Sequence, residues 1–534
     1  MGWGFSRINT ITLIHTSQGL ADYLLTKEPR AKEKGVVVGF DARHNSRDFA
    51  QRAAAIFRRN DMRVYGYGLP VHTPMVPFAV KYFKAAAGVM ITASHNPAPD
   101  NGYKVYGSNG CQINSPIDGE ILQHISRSIF EPPTCDVNSQ LHLHQNLTAS
   151  IDSLYLDTLE RVISKPQDAT SCPRFVYTPL HGVGGSMMVK ACGRLGFLKQ
   201  MTVVPEQAYP DPDFPTVKFP NPEEKGALDM AIDIADRENI HLIFANDPDA
   251  DRFAAAEKVG NQWHQFTGDE VGVLLAEHLM ENQSEESSYM ITTAVSSQRL
   301  SVVAAKRNVI VQETLTGFRW IGERTLALEA QGKKVSFGYE EALGYMLPNV
   351  VYDKDGIAAA MVFLRACAEW KSPFAKLQEI NEKLGYFETK NDYLRLNSPQ
   401  ECIAFFKRTR NVIRGLTEVA GRPILRCRDL YEGYDSDAAD HLPDLPSGRN
   451  NYMITCWLGS QSGEARPADQ GVRFTIRASG TEPKIKFYCE GRASSREAAK
   501  DGAIRVFEDI AGNRLSPDID ATGPTIASSS RSNT

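Results

Sequence analysis

No stretch of this 534-residue chain reaches the roughly 18 consecutive apolar residues of a membrane-spanning helix. The opening residues, Met1 to Thr10, lack the basic and then apolar segments of a secretory signal. A basic stripe is missing as well. The net charge is -5 and the Lys and Arg residues are scattered, which argues against nucleic acid or an anionic membrane as a partner. The nine cysteines, Cys111, Cys135, Cys172, Cys192, Cys367, Cys402, Cys427, Cys456 and Cys489, form no C-x-x-C pair. That pattern reads as reduced thiols in a cytoplasmic protein rather than a disulfide framework or a zinc site. Hydrophobic residues make up 42% and charged residues 23%, which is ordinary globular usage, and the length gives room for three or four domains. A cytoplasmic protein with a small-molecule partner is the expectation.

What is present is a repeating rhythm. Short β-branched runs are each followed by a turn and then by a helix-period segment: Val36 to Phe40 before Asp41-Ala42-Arg43 and an Ala-rich helix over Phe49 to Phe57, and Gly88 to Ile91 before Thr92-Ala93-Ser94. The rhythm returns at Arg174 to Tyr177, at His241 to Ala245 and at Tyr289 to Thr293. This is the βαβ pattern of mostly parallel sheets, and it predicts three α/β units in series. The last quarter differs. Arg473 to Ile476 and Lys484 to Cys489 flank a turn and feed a helix from Ser495 to about Ala511, as in a smaller α+β domain. The segment Tyr434 to Asn451 reads as a surface loop or linker, and the Ser/Thr/Pro-rich tail from Ser516 to Thr534 is expected to be disordered.

Four segments carry chemistry. Thr92-Ala93-Ser94-His95-Asn96-Pro97 sets a serine on a loop after an apolar strand, with Asp100-Asn101-Gly102-Tyr103-Lys104 close behind; its bland alternative is a hydroxyl capping a turn. Asn246-Asp247-Pro248-Asp249-Ala250-Asp251-Arg252 places three carboxylates at alternate positions. They repel one another unless something positive sits among them, and oxygen ligands without His or Cys suit Mg2+. Gly338-Tyr339-Glu340-Glu341-Ala342-Leu343-Gly344-Tyr345 offers paired acids to sugar hydroxyls, yet reads equally well as a helix start. Arg477-Ala478-Ser479-Gly480-Thr481-Glu482-Pro483-Lys484 combines hydroxyls, glycine-flanked N-H groups and two cations, a workable phosphate cradle.

Together the four resemble the serine, metal, sugar and phosphate loops of the α-D-phosphohexomutase superfamily, in that chain order and across nearly the whole chain. Thr178-Pro179-Leu180-His181-Gly182-Val183-Gly184, Thr314-Leu315-Thr316-Gly317-Phe318-Arg319-Trp320 and Lys354-Asp355-Gly356 are also similar to family signatures. Pro212-Asp213-Phe214-Pro215-Thr216-Val217 and Asn221-Pro222-Glu223-Glu224 resemble the eukaryotic phosphopentomutase/phosphoglucomutase-2 branch. The resemblance implies three similar α/β domains with mixed, mostly parallel sheets (1–168, 169–285 and 286–390) and a C-terminal α+β domain (391–515) around one central cleft, followed by the 516–534 tail. It implies a phosphoserine at Ser94 and Mg2+ held by one of its phosphate oxygens with Asp247, Asp249 and Asp251. His95 and Lys104 are implied as proton-transfer candidates, and Arg252 joins them at the catalytic centre. Thr316, Gly317, Arg319, Glu340, Glu341, Arg477, Ser479, Gly480, Thr481 and Lys484 are implied to hold a sugar phosphate, with a sugar bisphosphate as activator. A hinge near Asn391 would close the phosphate loop, and the protein would be a monomer or weak dimer.

The implied activity is a phosphosugar mutase, with a glucose-1,6-bisphosphate synthase as the alternative. Two departures from the family bear on it. No G-T-[AS]-G-x-R loop precedes Met1-Gly2-Trp3-Gly4, so an N-terminally shortened chain is expected, and an inactive homologue with a binding role is the reading from another class. Ala342 stands where hexose-specific relatives carry a serine, and with Leu343 it is expected to favour pentose over hexose phosphates.

Overall fold

The structure is a computed structural model and describes residues 7–129, 145–146, 148–163, 171–282, 288–460, 471–479, 483–514 and 526–527. The chain divides into two compact units, one of residues 1–296 and 304–376, the other of residues 297–303 and 377–534. No described helix is long and apolar enough to cross a membrane.

The first unit contains three mixed sheets. In the first, the order is Tyr103–Gly107, Ala87–Ile91, Val36–Phe40, Val64–Gly66 and Gln145–Asn146, parallel except for the antiparallel edge strand Tyr103–Gly107. Val36–Phe40 and Ala87–Ile91 are buried throughout. That burial explains their unbroken apolar runs, because a strand with parallel neighbours and helices on both faces has no solvent side to alternate toward. The second sheet centres on Phe175–Thr178 and Leu242–Ala245, which pair in parallel, and Leu242–Ala245 is then joined antiparallel by Ala254–Val259. The third sets Ser288–Thr293 between Val309–Thr314 and Val335–Glu340 in parallel, with Gly344–Met346 antiparallel at the edge.

The three sheets share one device. A buried strand ends, a short loop follows, and the chain returns antiparallel: Ala87–Ile91 into Tyr103–Gly107, Leu242–Ala245 into Ala254–Val259, and Val335–Glu340 into Gly344–Met346. Each loop holds a non-glycine residue with left-handed backbone, Ser94 at φ 53°, Ala250 at φ 49° and Leu343 at φ 61°. Such a residue costs of order 1–3 kcal/mol and persists only where its surroundings fix it.

The second unit is built on an antiparallel sheet in which Arg422–Asp429, Met453–Leu458, Gly471–Ala478, Lys484–Ala493 and Tyr386–Arg395 follow one another. Its core includes Phe405, Phe406 and Ile413 of the helix Pro399–Arg414, and Ala503 and Val506 of the helix Arg496–Phe507, against Ile454, Phe474, Ile476 and Phe487. Ser398 and Ser495 cap these helices, accepting from Glu401 N and Ala498 N, as serine does for unpaired first-turn donors.

Two expectations are corrected here. Tyr434 to Asn451 is a loop, as one of its two readings had it, but not a linker: it lies within the second unit, Tyr434 and Asp435 pair with Asp429 and Arg428, and Leu445 is buried. Asn391 is no hinge, since it sits in the middle of Tyr386–Arg395, opposite Tyr488 in an unbroken ladder, and a laddered residue lacks the backbone freedom a hinge needs. That strand also runs across the expected boundary at 390/391. The 516–534 tail falls outside the described residues apart from Ile526–Ala527, which pair with Leu394 and Tyr393.

Candidate active site

The serine loop follows the strand Ala87–Ile91. Ser94 is almost fully buried, at 5% exposure, and its left-handed backbone is held from two sides. Its N–H donates to Thr92 Oγ1 (2.9 Å), while Arg43 donates from Nη2 to the carbonyls of Ser94 (2.6 Å) and Asn96 (2.5 Å) and from Nη1 to that of Pro97 (2.8 Å). Arg43 is itself buried, with Nε 3.3 Å from Asp41 Oδ2 and its guanidinium over the Phe214 ring. The loop thus presents Ser94 Oγ to two neighbours, donating to Asp247 Oδ2 at 2.9 Å and lying 3.4 Å from His95 Nδ1. Burial, and then the nearby Arg252 charge, push the His95 pKa well below the usual histidine range, so its ring is neutral at pH 7.

The acidic loop between Leu242–Ala245 and Ala254–Val259 brings Asp247, Asp249 and Asp251, all fully buried, to a point where one carboxylate oxygen from each lies within 4.8 Å of the others. Their outer oxygens are occupied. Asp249 Oδ2 accepts from Thr73 Oγ1 (2.6 Å), Thr92 Oγ1 (3.2 Å) and Lys104 Nζ (2.8 Å), Asp251 Oδ2 accepts from Lys104 Nζ (2.8 Å), and Asp247 Oδ1 accepts from Arg252 N (3.0 Å). By contrast, Asp249 Oδ1 and Asp251 Oδ1 are buried with no hydrogen-bond partner among the described residues. A buried carboxylate oxygen left unpaired is costly. Two of them beside Ser94, in a set of hard oxygen donors, fit a small divalent cation such as Mg2+.

The electrostatics divide the three acids. Burial, reinforced by the charges of Asp249 and Asp251, pushes the Asp247 pKa well above the carboxylate range. Burial acts on Asp249 in the same sense, but Lys104 and the Thr73 hydroxyl outweigh it and hold that pKa low. Burial opposes the Lys104 charge, and the two carboxylates it bridges overcome that opposition, so this amine stays protonated.

The sugar loop settles the ambiguity left by Glu-Glu-Ala-Leu: it is a turn between two antiparallel strands, not a helix start. Glu341 Oε2 accepts from the Thr293 (3.2 Å) and Ser296 (3.4 Å) hydroxyls, and burial, with Lys354 opposing it, raises the Glu340 pKa. The loop is tied to the acidic loop by a bridge between Arg252 and Gly344 and by Phe253 N donating to Leu343 O at 3.2 Å. Thr316 is half-buried and Gly317, at φ 108°, precedes the helix Phe318–Glu329, on which Arg319 is exposed.

Four domains of one family match the chain in succession: phosphoglucomutase/phosphomannomutase alpha/beta/alpha domains I, II and III over residues 3–131, 153–260 and 267–384, and the C-terminal domain over residues 427–507. The chain belongs to the phosphoglucomutase/phosphomannomutase family.

Among similar members of this family, a phosphoribomutase of Saccharomyces cerevisiae is 41% identical, over 93% of this chain and 85% of that protein. A phosphopentomutase of Homo sapiens is 40% identical over 92% and 83%, and a human glucose 1,6-bisphosphate synthase is 38% identical over 92% and 82%. Parafusin, a phosphoglucomutase from Paramecium solved in an open form, superposes with a TM-score of 0.65 at 19% identity, over 96% of this chain and 92% of that one. At that identity the likeness speaks for the fold alone.

Three residues of this phosphomutase chain escaped the sequence reading of the site. Lys354 Nζ is 3.4 Å from Asp251 Oδ2, over the Phe318 ring, and joins Lys104 in supplying the positive charge that the acidic loop calls for. Arg43 and Asp41 read as turn residues; a buried-looking strand running straight into an acid and a base was the available signal. Leu343 was expected beside the sugar. Its side chain instead packs in the core of the second sheet with Val176, Ile243 and Ala254, because a left-handed residue in the turn aims it inward. Of the phosphate loop, Arg477 is the penultimate residue of the strand Gly471–Ala478, Lys484 begins the next, and Ser479 N donates to Lys484 O at 2.8 Å. Gly480 and Thr481 lie outside the described residues.

Proposed function

We propose that this protein is a phosphosugar mutase that moves a phosphoryl group between the C1 and C5 or C6 hydroxyls of a pentose or hexose phosphate, through a phosphoserine at Ser94, with pentose phosphates preferred. The observation that carries the reading is the Ser94 hydroxyl 2.9 Å from Asp247 Oδ2, beside two buried carboxylate oxygens that lack donors among the described residues. The names of the relatives, phosphoribomutase and phosphopentomutase, support the substrate class.

Asp247, Asp249 and Asp251 would hold Mg2+, which when bound offsets the charge that builds on a transferring phosphoryl group. Lys104, Lys354 and Arg252 surround the same point with fixed positive charge. In the first half-reaction the sugar's free hydroxyl attacks the phosphorus of phospho-Ser94; an O–P bond forms as the Ser94 Oγ–P bond breaks, the attacking hydroxyl gives up its proton, and the departing Ser94 Oγ takes one up. In the return step Ser94 Oγ is the nucleophile, and neutral His95, 3.4 Å from it, is the group placed to take its proton, whereas Lys104, held charged by two carboxylates, serves as a cation. Glu340 and Glu341 orient the sugar with Thr316, Gly317 and Arg319, and Arg477, Ser479, Gly480, Thr481 and Lys484 grip its existing phosphate, so that the attack is positioned rather than encountered. The bisphosphate turns over and returns its other phosphate to Ser94, and the same bisphosphate serves as activator. The proposal places the protein in the cytoplasm as a monomer or weak dimer.

Two measurements test this. Intact mass and peptide mapping should find one phosphate, on Ser94, and Ser94→Ala should lose turnover by about three orders of magnitude or more; full activity of that variant sinks the mechanism. The ratio of kcat/KM for ribose 1-phosphate to that for glucose 1-phosphate, each with its bisphosphate, should exceed one. The motive is Ala342: a hexose hydroxyl left without its bond costs about 1 to 3 kcal/mol, roughly 5- to 150-fold in specificity. A tenfold preference for glucose overturns the pentose assignment, and faster phosphoryl transfer from an acyl phosphate donor than between sugar phosphates would make the protein a bisphosphate synthase.

A further inference from the structure

Two cysteines of the second unit face each other across its sheet. Cys427 lies in Arg422–Asp429 and Cys456 in Met453–Leu458, and the antiparallel register sets them directly opposite. The backbone decides what kind of pair they make. Cys427 N donates to Ser436 Oγ (2.9 Å) and Cys427 O accepts from Ser436 N (3.0 Å). Both main-chain groups of a residue in an antiparallel strand point to the same side, so neither turns toward Cys456. The cysteines are therefore a non-hydrogen-bonded pair, the kind whose Cα atoms approach to about 4.5 Å and whose side chains stand closest. That separation falls within the roughly 4.4–6.8 Å that a disulfide spans. The two thiols lie close enough that each is the largest influence on the other's pKa. On the opposite face the register is pinned by Trp457, whose ring carries the Arg426 and Arg428 guanidiniums at 4.4 and 5.2 Å.

We propose that Cys427 and Cys456 form an oxidation site, which a hydroperoxide converts to a reversible intramolecular disulfide inside the folded unit. Cys427, half-buried, reacts first, while Cys456 is fully buried. The Cys427 thiolate attacks one peroxide oxygen; the O–O bond breaks, hydroxide leaves and takes up a proton, and Cys427 becomes a sulfenic acid. Cys456 sulfur then attacks Cys427 Sγ, the S–O bond breaks, and the Cys456 proton departs with the hydroxyl as a second water. Two thiols lose two electrons and the peroxide gains them.

The surroundings assign the order of attack. Cys456 is the main influence lowering the Cys427 pKa, with Arg414 assisting against burial and Asp429, and Cys427 in turn raises that of Cys456. Cys111, Cys172, Cys192, Cys367, Cys402 and Cys489 are all buried thiols with raised pKa, which makes them poor thiolate sources. The disulfide would fasten two strands already paired. Met453–Leu458 pairs on its other edge with Gly471–Ala478, where Met453 stands opposite Arg477, so the tie lies three positions from the partner of a proposed phosphate ligand.

The test exposes the reduced, full-length protein to hydrogen peroxide, blocks remaining thiols by alkylation and maps the peptides. A Cys427–Cys456 cross-link two hydrogens lighter than the thiols, returned to two alkylatable thiols by dithiothreitol, is expected. In Cys427→Ser, Cys456 should stay reduced under the same dose. In Cys456→Ala, Cys427 should stop as a sulfenic acid trapped by dimedone. Cys427 accumulating as sulfinic acid in the wild-type protein, or pairing with any other cysteine, overturns the proposal, as does oxidation of the buried thiols before Cys427; the Cys427→Ser result stands alone if Cys456→Ala fails to fold.

Discussion

Ser94 spends its conformational strain on position: with φ at 53° its hydroxyl reaches Asp247 while Arg43 gathers the carbonyls behind it. Around that hydroxyl the charges are nearly matched, Asp249 and Asp251 against Lys104, Lys354 and the flanking Arg252, while burial favours the protonated form of Asp247. Adding a divalent cation to such a set gives it an excess of positive charge, and adding a phosphate, at about -1.5 to -2, gives it an excess of negative charge. Each therefore favours the other. Phosphorylated protein is predicted to bind Mg2+ at least about tenfold more tightly than the Ser94 hydroxyl form, a difference of about 1.4 kcal/mol. Calorimetric titration of the two forms checks it, and equal affinities would mean that the aspartates bind the metal without help from the serine.

At the scale of elements, the acidic loop is clamped by backbone on two sides. A Cβ at Gly182 would lie 2.3 Å from Pro248 Cα, and one at Gly356 would lie 2.2 Å from Arg252 O. Gly356→Ala must push the loop away from the start of the helix Gly356–Trp370, and turnover is expected to fall by about 100-fold, measured as kcat, while circular dichroism stays unchanged. The cap of the same helix supplies a pH signature. Asp355 Oδ1 accepts from Ile357 N and Ala358 N, and Tyr155 Oη donates to the same carboxylate, yet burial pushes its pKa up to about 6. The folded state therefore holds this proton more tightly than the unfolded chain does. Its contribution is fully present below about pH 4 and is lost as pH rises to about 6, a loss of about 3 kcal/mol. Asparagine keeps the cap and cannot titrate, so wild type minus Asp355→Asn in urea unfolding should show that slope and flatten above it. The strands that lead into these loops were legible in the sequence, because parallel central strands must be apolar on both faces. Lys354 and Arg43 were not, since the positions of a lone lysine and a turn arginine relative to Asp251 and Ser94 depend on packing between sheets. The sugar loop was ambiguous for a different reason: Glu-Glu-Ala-Leu suits a helix by propensity, and only the pairing of Gly344–Met346 with Val335–Glu340 overrides it.

Across the whole molecule, the site is made by contacts between residues far apart in the chain. Ser94 meets Asp247 across 153 positions, Lys104 meets Asp251 across 147, and Gln112 meets Asp353 across 241. The first sheet can form from its own residues, and Arg43 and Thr92 hold the serine loop's backbone, but the Ser94 hydroxyl and Lys104 lack their acid partners until the second sheet exists, and those acids lack Lys354 until its segment is made. During synthesis, then, the part of the protein made early is finished late. A nascent chain paused before Lys354 should expose the serine loop to protease, and one released through Lys376 should protect it; protection gained already at about residue 130 would show that the first sheet holds its loop unaided. In the interval the Ser94 loop and the three aspartates are not yet assembled, which leaves the growing polypeptide without its proposed phosphoryl acceptor and proposed metal cradle until most of the chain has left the ribosome.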